Sequence, residues 1–187
     1  MHMQKLVSLS ENPEPRIELM KSHFDALEIR RMKFPKSEKI TYIPLIEDPR
    51  LTLCIFYIPE GVLMPYHDHP RQNVLLRVLE GDIEIRSCDT GDTAGYVAGN
   101  TYSALRDTRT RLRSESCTHV VLPAYGNIHE IKALKNSMFM DLVTPPYSQD
   151  RSITYFHRMG DVLTAIRERD MSLPMDFCQP SDLVDSR

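Results

Sequence analysis

The sequence contains no tryptophan, and aromatic residues make up only 7% of its 187 residues. No stretch approaches the about 18 consecutive apolar residues that mark a membrane-spanning helix. Lysine and arginine number 23 against 26 aspartates and glutamates, which gives a formal net charge of −3. Without a basic surplus, general binding to nucleic acid or to anionic membranes is not expected. These absences favour a partner that is small or recognised locally.

Cysteine is also scarce. The four cysteines lie at Cys54, Cys88, Cys117 and Cys178 and form no C-x-x-C pair, which argues against a zinc-thiolate module or a dense disulfide framework. The N-terminal region lacks a charged segment followed by an apolar core and a cleavage site, the pattern of a secretory leader. We therefore expect a cytoplasmic protein with reduced thiols.

The hydrophobic content of 41% over 187 residues is sufficient for one well-filled domain, and we expect a monomer. Near the N-terminus, apolar residues recur at three- and four-residue spacing, which predicts an amphipathic helix that packs on the domain. These residues are Ile17, Met20, Phe24 and Leu27.

From residue 39 the pattern becomes typical of strands separated by turns, as in sandwiches and small barrels. The segment 51–58 is apolar at successive positions, which predicts a strand covered on both faces, with Cys54 in the core. Alternation after Glu80-Gly81-Asp82 predicts a hairpin. Farther along, Asp161 is expected to cap a short helix that runs to about Glu168.

Residues 89–116 contain glycines and then interleaved arginines, which predict an exposed loop or hairpin. We interpret the arginines as a solvated face. Contact with an acidic partner or a phosphate is the alternative. The arginines are Arg106, Arg109, Arg111 and Arg113.

His67 and His69 lie in the run Pro65-Tyr66-His67-Asp68-His69-Pro70. Side chains two positions apart in a strand point to the same face, so the two imidazoles project together and Asp68 projects away. Such a pair can supply two ligands to zinc, iron, copper or nickel. A hydrogen-bonded surface pair is equally compatible with these two residues alone.

Four segments carry a more specific pattern. They are an H-D-H-P run within residues 61–70, a Val-Leu-Glu-Gly turn at 78–81, a third histidine, His129, within 122–129, and D-x-x-x-P-P-Y within 140–147. In this order and spacing they resemble the cysteamine dioxygenase and plant cysteine oxidase family of thiol dioxygenases. The resemblance implies a mainly β fold, the cupin (double-stranded β-helix, jelly-roll) barrel, over residues 39–157. A lead and helix over 1–38 and a short C-terminal helix and tail over 158–187 would complete a single domain.

The resemblance also implies an enzyme with non-haem Fe(II). General cupins place a glutamate ligand at the position that Val74 occupies here, so the implied ligands are His67, His69 and His129 alone. The implied reaction adds both atoms of O₂ to the sulfur of cysteamine or of an N-terminal cysteine and gives a sulfinic acid, a chemistry suited to oxygen sensing. Nickel or zinc can replace iron in histidine sites.

Two further residues gain candidate catalytic roles from the resemblance. Asp141 would lie near the third histidine and orient it; an aspartate that caps a turn at a strand end is the alternative. Tyr147 would be a pocket hydroxyl that steers the substrate or a bound oxygen species, and a packing role is the alternative.

Substrate contacts are expected from Tyr66 and Arg71, which flank the metal strand at the expected pocket mouth, and from Tyr155. Some family members cross-link a tyrosine near this last position to a cysteine, which Ile153 replaces here. These features leave cysteamine, free cysteine and peptides with an N-terminal cysteine unranked. A non-catalytic cupin that binds a metal or small ligand is the alternative, since a fold does not dictate activity. The three matched histidines count against a sugar isomerase or epimerase.

Overall fold

The computed structural model describes residues 1–11, 16–29, 32–92, 95–171 and 173–183. Residues 12–15 of the predicted N-terminal lead and 184–187 of the tail lie outside these ranges. The helices are α1 (His2–Leu9) and α2 (Ile17–Asp25), and the strands are β1 (Ile40–Asp48), β2 (Leu51–Ile58), β3 (Leu63–His67), β4 (Asn73–Glu80), β5 (Asp82–Asp89), β6 (Thr101–Ser103), β7 (Leu105–Arg113), β8 (His119–Val121), β9 (Ile128–Ala133), β10 (Ser137–Thr144), β11 (Thr154–Met159), β12 (Val162–Arg167) and β13 (Met175–Phe177).

The strands form two sheets. The six-stranded sheet has the order β13-β1-β2-β10-β4-β8, and the seven-stranded sheet has the order β6-β12-β11-β3-β9-β5-β7. A buried apolar cluster unites residues of both, including Ile58 and Phe139 of the first and Ile83 and Ile131 of the second. The chain passes repeatedly from one sheet to the other, and the predicted cupin barrel is confirmed.

The helices cover the outer face of the six-stranded sheet. The predicted amphipathic helix is α2, whose Met20 and Phe24 are fully buried and belong to one cluster with Leu53 and Ile55 of β2. Helix α1 was not predicted, and its Leu6 joins the same cluster. Strand β2 is therefore covered on both faces, as its apolar sequence predicts. No helix in the described ranges is long and apolar enough to cross a bilayer.

The predicted hairpin at Glu80-Gly81-Asp82 is wrong. Strand β4 pairs with β10 and β8, whereas β5 pairs with β7 and β9. The turn therefore transfers the chain from one sheet to the other. Alternating hydrophobicity identified β5 as a strand with one inward face, but this alternation carries no information about which strand is the partner.

The predicted helix from Asp161 to about Glu168 is also wrong, and the helical elements described in the C-terminal region are two short 3₁₀ helices, Glu168–Asp170 and Pro180–Asp182. Residues 162–167 form β12, which pairs with β11 in a hairpin that crosses the expected boundary at 157. Leu163 and Ala165 are buried while Val162 is exposed, which is the period of a strand. Asp161 lies in the turn of this hairpin. The tail adds β13, which runs parallel to β1.

The segment 89–116 contributes β6 and β7 to the edges of the seven-stranded sheet. Strand β7 carries arginines on a face that is largely exposed. Arg111 and Arg113 form ion pairs with Asp82 at 2.6 and 3.0 Å, and Arg109 pairs with Glu84 at 2.5 Å. The arginines thus form a solvated, ion-paired face, as we interpreted them.

Candidate metal centre

Three buried histidines converge between the sheets. His67 ends β3 and lies opposite His129 of β9, after an irregularity in the pairing between Met64 and His67. The ring centroids of His67, His69 and His129 are 4.6 to 5.1 Å apart, and their potential ligand atoms lie within 4.8 Å of one another. A group this compact could hold one metal ion. The three rings are therefore placed to share one ion.

The hydrogen bonds of two rings fix which nitrogen faces this ion. His67 Nδ1 lies 2.9 Å from the Pro65 carbonyl, which only accepts, so Nδ1 carries the proton. His69 Nδ1 lies 2.7 Å from the Tyr147 hydroxyl, whose own proton is donated to the Asp68 carbonyl at 2.9 Å. The hydroxyl oxygen therefore accepts from His69 Nδ1. Both rings keep the lone pair on Nε2, the arrangement that metal ligation requires.

Burial makes this set suitable for a cation. Burial lowers the pKa of His67 to about 4 and lowers the pKa of His69 and of His129 well below the ordinary histidine value. The imidazoles are thus neutral at neutral pH. His69 Nε2 is buried without a hydrogen-bond partner, a costly arrangement unless the lone pair binds something. Neutral imidazoles suit iron, zinc, nickel and copper.

The group contains no carboxylate among the residues that the structure describes. Val74, which stands where general cupins carry a glutamate ligand, is buried in a small apolar cluster with Val121 and Val143. The ligand set expected from the sequence therefore agrees with the geometry of the site.

Asn127 has a role that the sequence analysis missed. His69 lies beyond the end of β3, where strand pairing no longer fixes its backbone. Asn127 Oδ1 accepts a hydrogen bond from His69 N at 3.0 Å, and its Nδ2 donates to His69 O at 2.8 Å. Asn127 N in turn donates to Asp89 Oδ1 at 3.1 Å. The sequence signal that could have identified Asn127 is its position two residues before His129.

Asp68 points away from the histidine rings, as the alternation of a strand predicts. Its Oδ1 accepts a hydrogen bond from Thr154 N at 2.6 Å, at the start of β11. Burial raises its pKa to about 7. Asp68 therefore ties the segment that carries the histidines to the neighbouring strand.

Tyr147 orients the His69 ring, whereas the sequence analysis expected an orienting residue for His129, in Asp141. The residue as a whole is 37% exposed, but its hydroxyl is enclosed between His69 Nδ1 and the Asp68 carbonyl. Such partners of ligand histidines fix the tautomer and angle of the ring.

Replacing Tyr147 by phenylalanine is expected to weaken metal binding by about 10- to 100-fold, because His69 Nδ1–H loses its acceptor while the aromatic ring remains. The dissociation constant is measured by competition with a coloured chelator. Tyr125→Phe is the matched control, since this side chain is 54% exposed and lies outside the site. An affinity of Tyr147→Phe within twofold of wild type would contradict the orienting role.

Asp141 lies on β10 opposite Cys54 of β2. Within the described part of the chain, no hydrogen bond joins its carboxyl to a histidine, so the orienting role stays a prediction. Its Oδ1 is buried without a partner, and burial raises its pKa to about 8. The carboxyl is therefore mostly protonated at neutral pH and able to donate a hydrogen bond.

Asp141 is expected to make the metal-free protein less stable as the pH rises. Between the ordinary value of 3.8 and about 8, the folded protein holds a proton that the unfolded chain releases, so stability falls across this window. The facing groups, Cys54 and Tyr147, have pKa values raised by burial and stay neutral there. Asp141→Asn should raise the melting temperature by several degrees at pH 8 and by much less at pH 5. A difference that does not grow between these pH values would contradict this assignment.

A cavity of about 680 Å³ opens beside the histidines. His67, His69 and Asp141 line its buried part, together with Tyr155, whose ring centroid is 6.1 Å from that of His67. The structure thus places Tyr155 in the cavity wall, where its side chain could contact a bound substrate.

Tyr66 and Arg71 do not line this cavity. Tyr66 projects to the opposite face of β3, where it packs with Phe156 and accepts a hydrogen bond from Arg158 at 3.3 Å. Arg71 is exposed and donates to the Asp150 carbonyl at 2.9 Å. Neither residue lines the cavity, so the predicted placement is wrong for Tyr66, and a place for Arg71 beside the opening stays a prediction.

Comparisons with curated proteins find several relatives of this chain. The chain is 33% identical over 122 residues to a probable 2-aminoethanethiol dioxygenase of Dictyostelium discoideum, covering 64% of this chain and 56% of that protein. It is 28% identical over 124 residues to plant cysteine oxidase 2 of Arabidopsis thaliana (65% and 45% covered) and 27% identical over 160 residues to human 2-aminoethanethiol dioxygenase (74% and 58% covered). The chain spans about half the length of these curated relatives.

Among solved structures, a cupin superfamily protein from Desulfitobacterium hafniense matches with 14% identity and a TM-score of 0.44, covering 68% of this chain and 88% of that one. The PCO_ADO family model matches residues 10–172, which is most of the chain. The chain therefore belongs to the PCO_ADO family, the cysteamine dioxygenase and plant cysteine oxidase family of the cupin superfamily.

Proposed function

We propose that the protein is a non-haem Fe(II) thiol dioxygenase that converts an aminothiol, or the N-terminal cysteine of a peptide, to a sulfinic acid. The observation that carries the proposal is the buried set of three neutral histidines, without a carboxylate, beside a cavity. The relatives named 2-aminoethanethiol dioxygenase and plant cysteine oxidase support it. The proposal includes a cytoplasmic monomer and, with protein N-terminal cysteines as substrates, a role in oxygen sensing.

His67, His69 and His129 would hold the iron through one side of its coordination shell. When bound, Fe(II) supplies open positions at which a thiolate and O₂ can meet. Because the three imidazoles are neutral, the site keeps a positive charge that favours the thiolate form of the substrate. All electrons that reduce O₂ come from the sulfur, and both oxygen atoms remain on it, so no other reductant is needed.

Other cavity residues would control protons and water. The protonated carboxyl of Asp141 can donate a hydrogen bond to an oxygen atom or, when ionised, accept one from a substrate ammonium group. The Tyr147 hydroxyl donates a hydrogen bond to the Asp68 carbonyl and accepts one from His69 Nδ1, which holds the His69 ring in place. Apolar side chains, including Phe56, Val143 and Ile153, line the wall and limit the access of water.

The test is oxygen uptake by the iron-loaded protein with cysteamine and with a peptide that begins with cysteine. We expect one O₂ consumed per thiol and a product heavier by about 32 Da, the mass of two oxygen atoms added to sulfur. A peptide that begins with serine, and protein stripped of iron, are the controls. Iron binding with no mass increase on either thiol would overturn the proposal and favour the non-catalytic cupin.

A further inference from the structure

His69 lies outside the strands that hold the other two histidines. His67 belongs to β3 and His129 to β9, and the two residues are paired with each other. His129 is also paired with Ser87 of β5. His69 follows the last residue of β3 by two positions. Because the groups of a functional site must be held within about 0.5 Å of their working geometry, the contacts that fix His69 decide whether three imidazoles can bind one ion.

Asn127 takes the place of a strand partner for His69. Its side-chain Oδ1 accepts a hydrogen bond from His69 N at 3.0 Å, and its Nδ2 donates to His69 O at 2.8 Å. A neighbouring strand makes the same two contacts with one residue. Nδ2 also donates to Pro123 O at 3.3 Å, so one donor and two acceptors fix the orientation of the amide. Asn127 is only 7% exposed, which shields these bonds from water.

Asp89 holds Asn127 through its main chain. The pairing of β5 with β9 reaches Cys88 and Ile128, and the next residues along the two strands are Asp89 and Asn127. Here a carboxylate oxygen, Oδ1 of Asp89, accepts the hydrogen bond from Asn127 N at 3.1 Å. Asp89 is 5% exposed, and its Oδ2 lies 3.6 Å from Arg106 Nε of β7. A hydrogen bond to an ionised acceptor is roughly twice as strong as a neutral one.

We propose that Asp89 is a positioning residue of the metal site, which acts through Asn127 to hold His69 where the three imidazoles meet at one ion. Only Asn127 stands between the Asp89 carboxylate and the His69 backbone. The inference rests on the metal site of the proposed function. It gives a role in that site to the start of the segment 89–116, whose remaining strands are largely exposed.

A carboxylate could also favour a bound cation through its charge alone, and two variants distinguish this from positioning. Asp89→Asn removes the charge but keeps an oxygen that can accept from Asn127 N, whereas Asp89→Leu removes both. We expect Asp89→Leu to weaken Co(II) binding by about 10- to 100-fold, the usual cost of losing a group that orients a ligand. Asp89→Asn should stay within about threefold of the wild type, because the hydrogen bond to Asn127 N remains.

The experiment titrates the metal-free protein with Co(II) under nitrogen and records the visible absorption of the bound ion. Co(II) lies between Fe(II) and Ni(II) in the usual order of affinities, and its absorption depends on the number and geometry of its ligands. At saturation, Asp89→Leu should change this absorption, which a loss of fold stability alone would not do. Asp89→Ser, whose shorter side chain cannot span the same distance, gives the same test should the leucine variant not fold.

Two controls accompany these variants. Arg106→Gln removes the other partner of the Asp89 carboxylate, a side chain that is 59% exposed, and leaves the bond to Asn127 N in place. Gly61→Ala strains the backbone at a φ of +81° where nothing lies within 4 Å of the added Cβ, so it lowers fold stability without touching this chain of contacts. Both controls should bind Co(II) within about twofold of the wild type, since an exposed ion pair contributes little.

Asn127→Leu shows whether Asp89 acts through Asn127. If it does, Asp89→Leu/Asn127→Leu binds Co(II) no more weakly than Asn127→Leu alone. Losses that add in the double variant overturn the inference. Wild-type affinity in Asp89→Leu also overturns it, and so does an equal loss in Asp89→Asn and Asp89→Leu, which assigns the effect to charge.

The outcomes separate this inference from the proposed function, because binding is measured without turnover. Failure of the Asp89 variants to weaken binding leaves the proposed function standing. If the variants behave as expected but the iron-loaded wild type oxidises no thiol, the proposed function fails and the role of Asp89 stands. A wild-type protein that binds no Co(II) overturns both.

Discussion

Replacing any one of His67, His69 or His129 by alanine is expected to lower iron affinity by more than about 100-fold and to abolish oxygen uptake. Loss of a group that only orients a ligand costs about 10- to 100-fold, and loss of the ligand itself removes a metal bond. Because the three rings meet within one buried group, the two remaining imidazoles cannot enclose the ion. Iron content after dialysis and O₂ consumption with cysteamine are the two measurements.

The matched control is His157→Ala. His157 is an exposed histidine of β11, and it lines a different cavity from the one beside the three histidines. This variant should retain the iron content and activity of the wild type. Full iron retention and activity in any one of the three ligand variants would refute the assigned set.

The histidine site was predictable because local rules and the family resemblance agree there. Alternation in β3 brings His67 and His69 to one side, and the matched segments supplied His129. The same alternation already excludes Tyr66 from that side, so its predicted place in the pocket contradicted the rule that paired the histidines. The alternation of a strand does not apply to Arg71, because this residue lies in a turn with a φ of 56°.

The partners of the histidines could not be predicted, because they are contacts between distant segments. Tyr147 reaches His69 across 78 residues of chain, and Asn127 reaches it across 58. A sequence motif lists these residues but does not say which of them touch. The sequence analysis therefore expected Asp141 to orient His129 and did not identify the contact of Tyr147 with His69.

The two errors in secondary structure have the same origin. The turn at Glu80-Gly81-Asp82 favours a hairpin locally, but the sheet to which β5 belongs depends on β7 and β9. Asp161 is a good helix cap, but the following residues are β-branched or alternate in burial, and the neighbouring strands β11 and β6 supply partners for β12. The stabilisation that β12 gains by pairing with its neighbouring strands outweighs the stabilisation that a helix cap at Asp161 would provide.

Gly81→Ala is expected to lower the free energy of unfolding by about 3–5 kcal/mol. This loss is larger than that expected from any other substitution proposed above. A Cβ at Gly81 would lie 2.3 Å from Ser137 Oγ, 2.5 Å from Asn136 O and 2.6 Å from Ser137 Cα. Two of these atoms belong to the backbone at the start of β10, which is paired on both sides by β2 and β4 and cannot move aside. The φ of +99° at Gly81 adds strain for any L-residue.

Gly61→Ala separates these two effects. Gly61 also has a positive φ, +81°, but nothing lies within 4 Å of its Cβ position, so alanine there meets only the backbone strain of about 1–2 kcal/mol. Urea unfolding of both variants measures the difference, which we attribute to the contact between the 80–82 turn and β10. Equal losses would contradict this attribution. Because β10 also carries Asp141, the contact at Gly81 links the turn between the two sheets to the cavity beside the histidines.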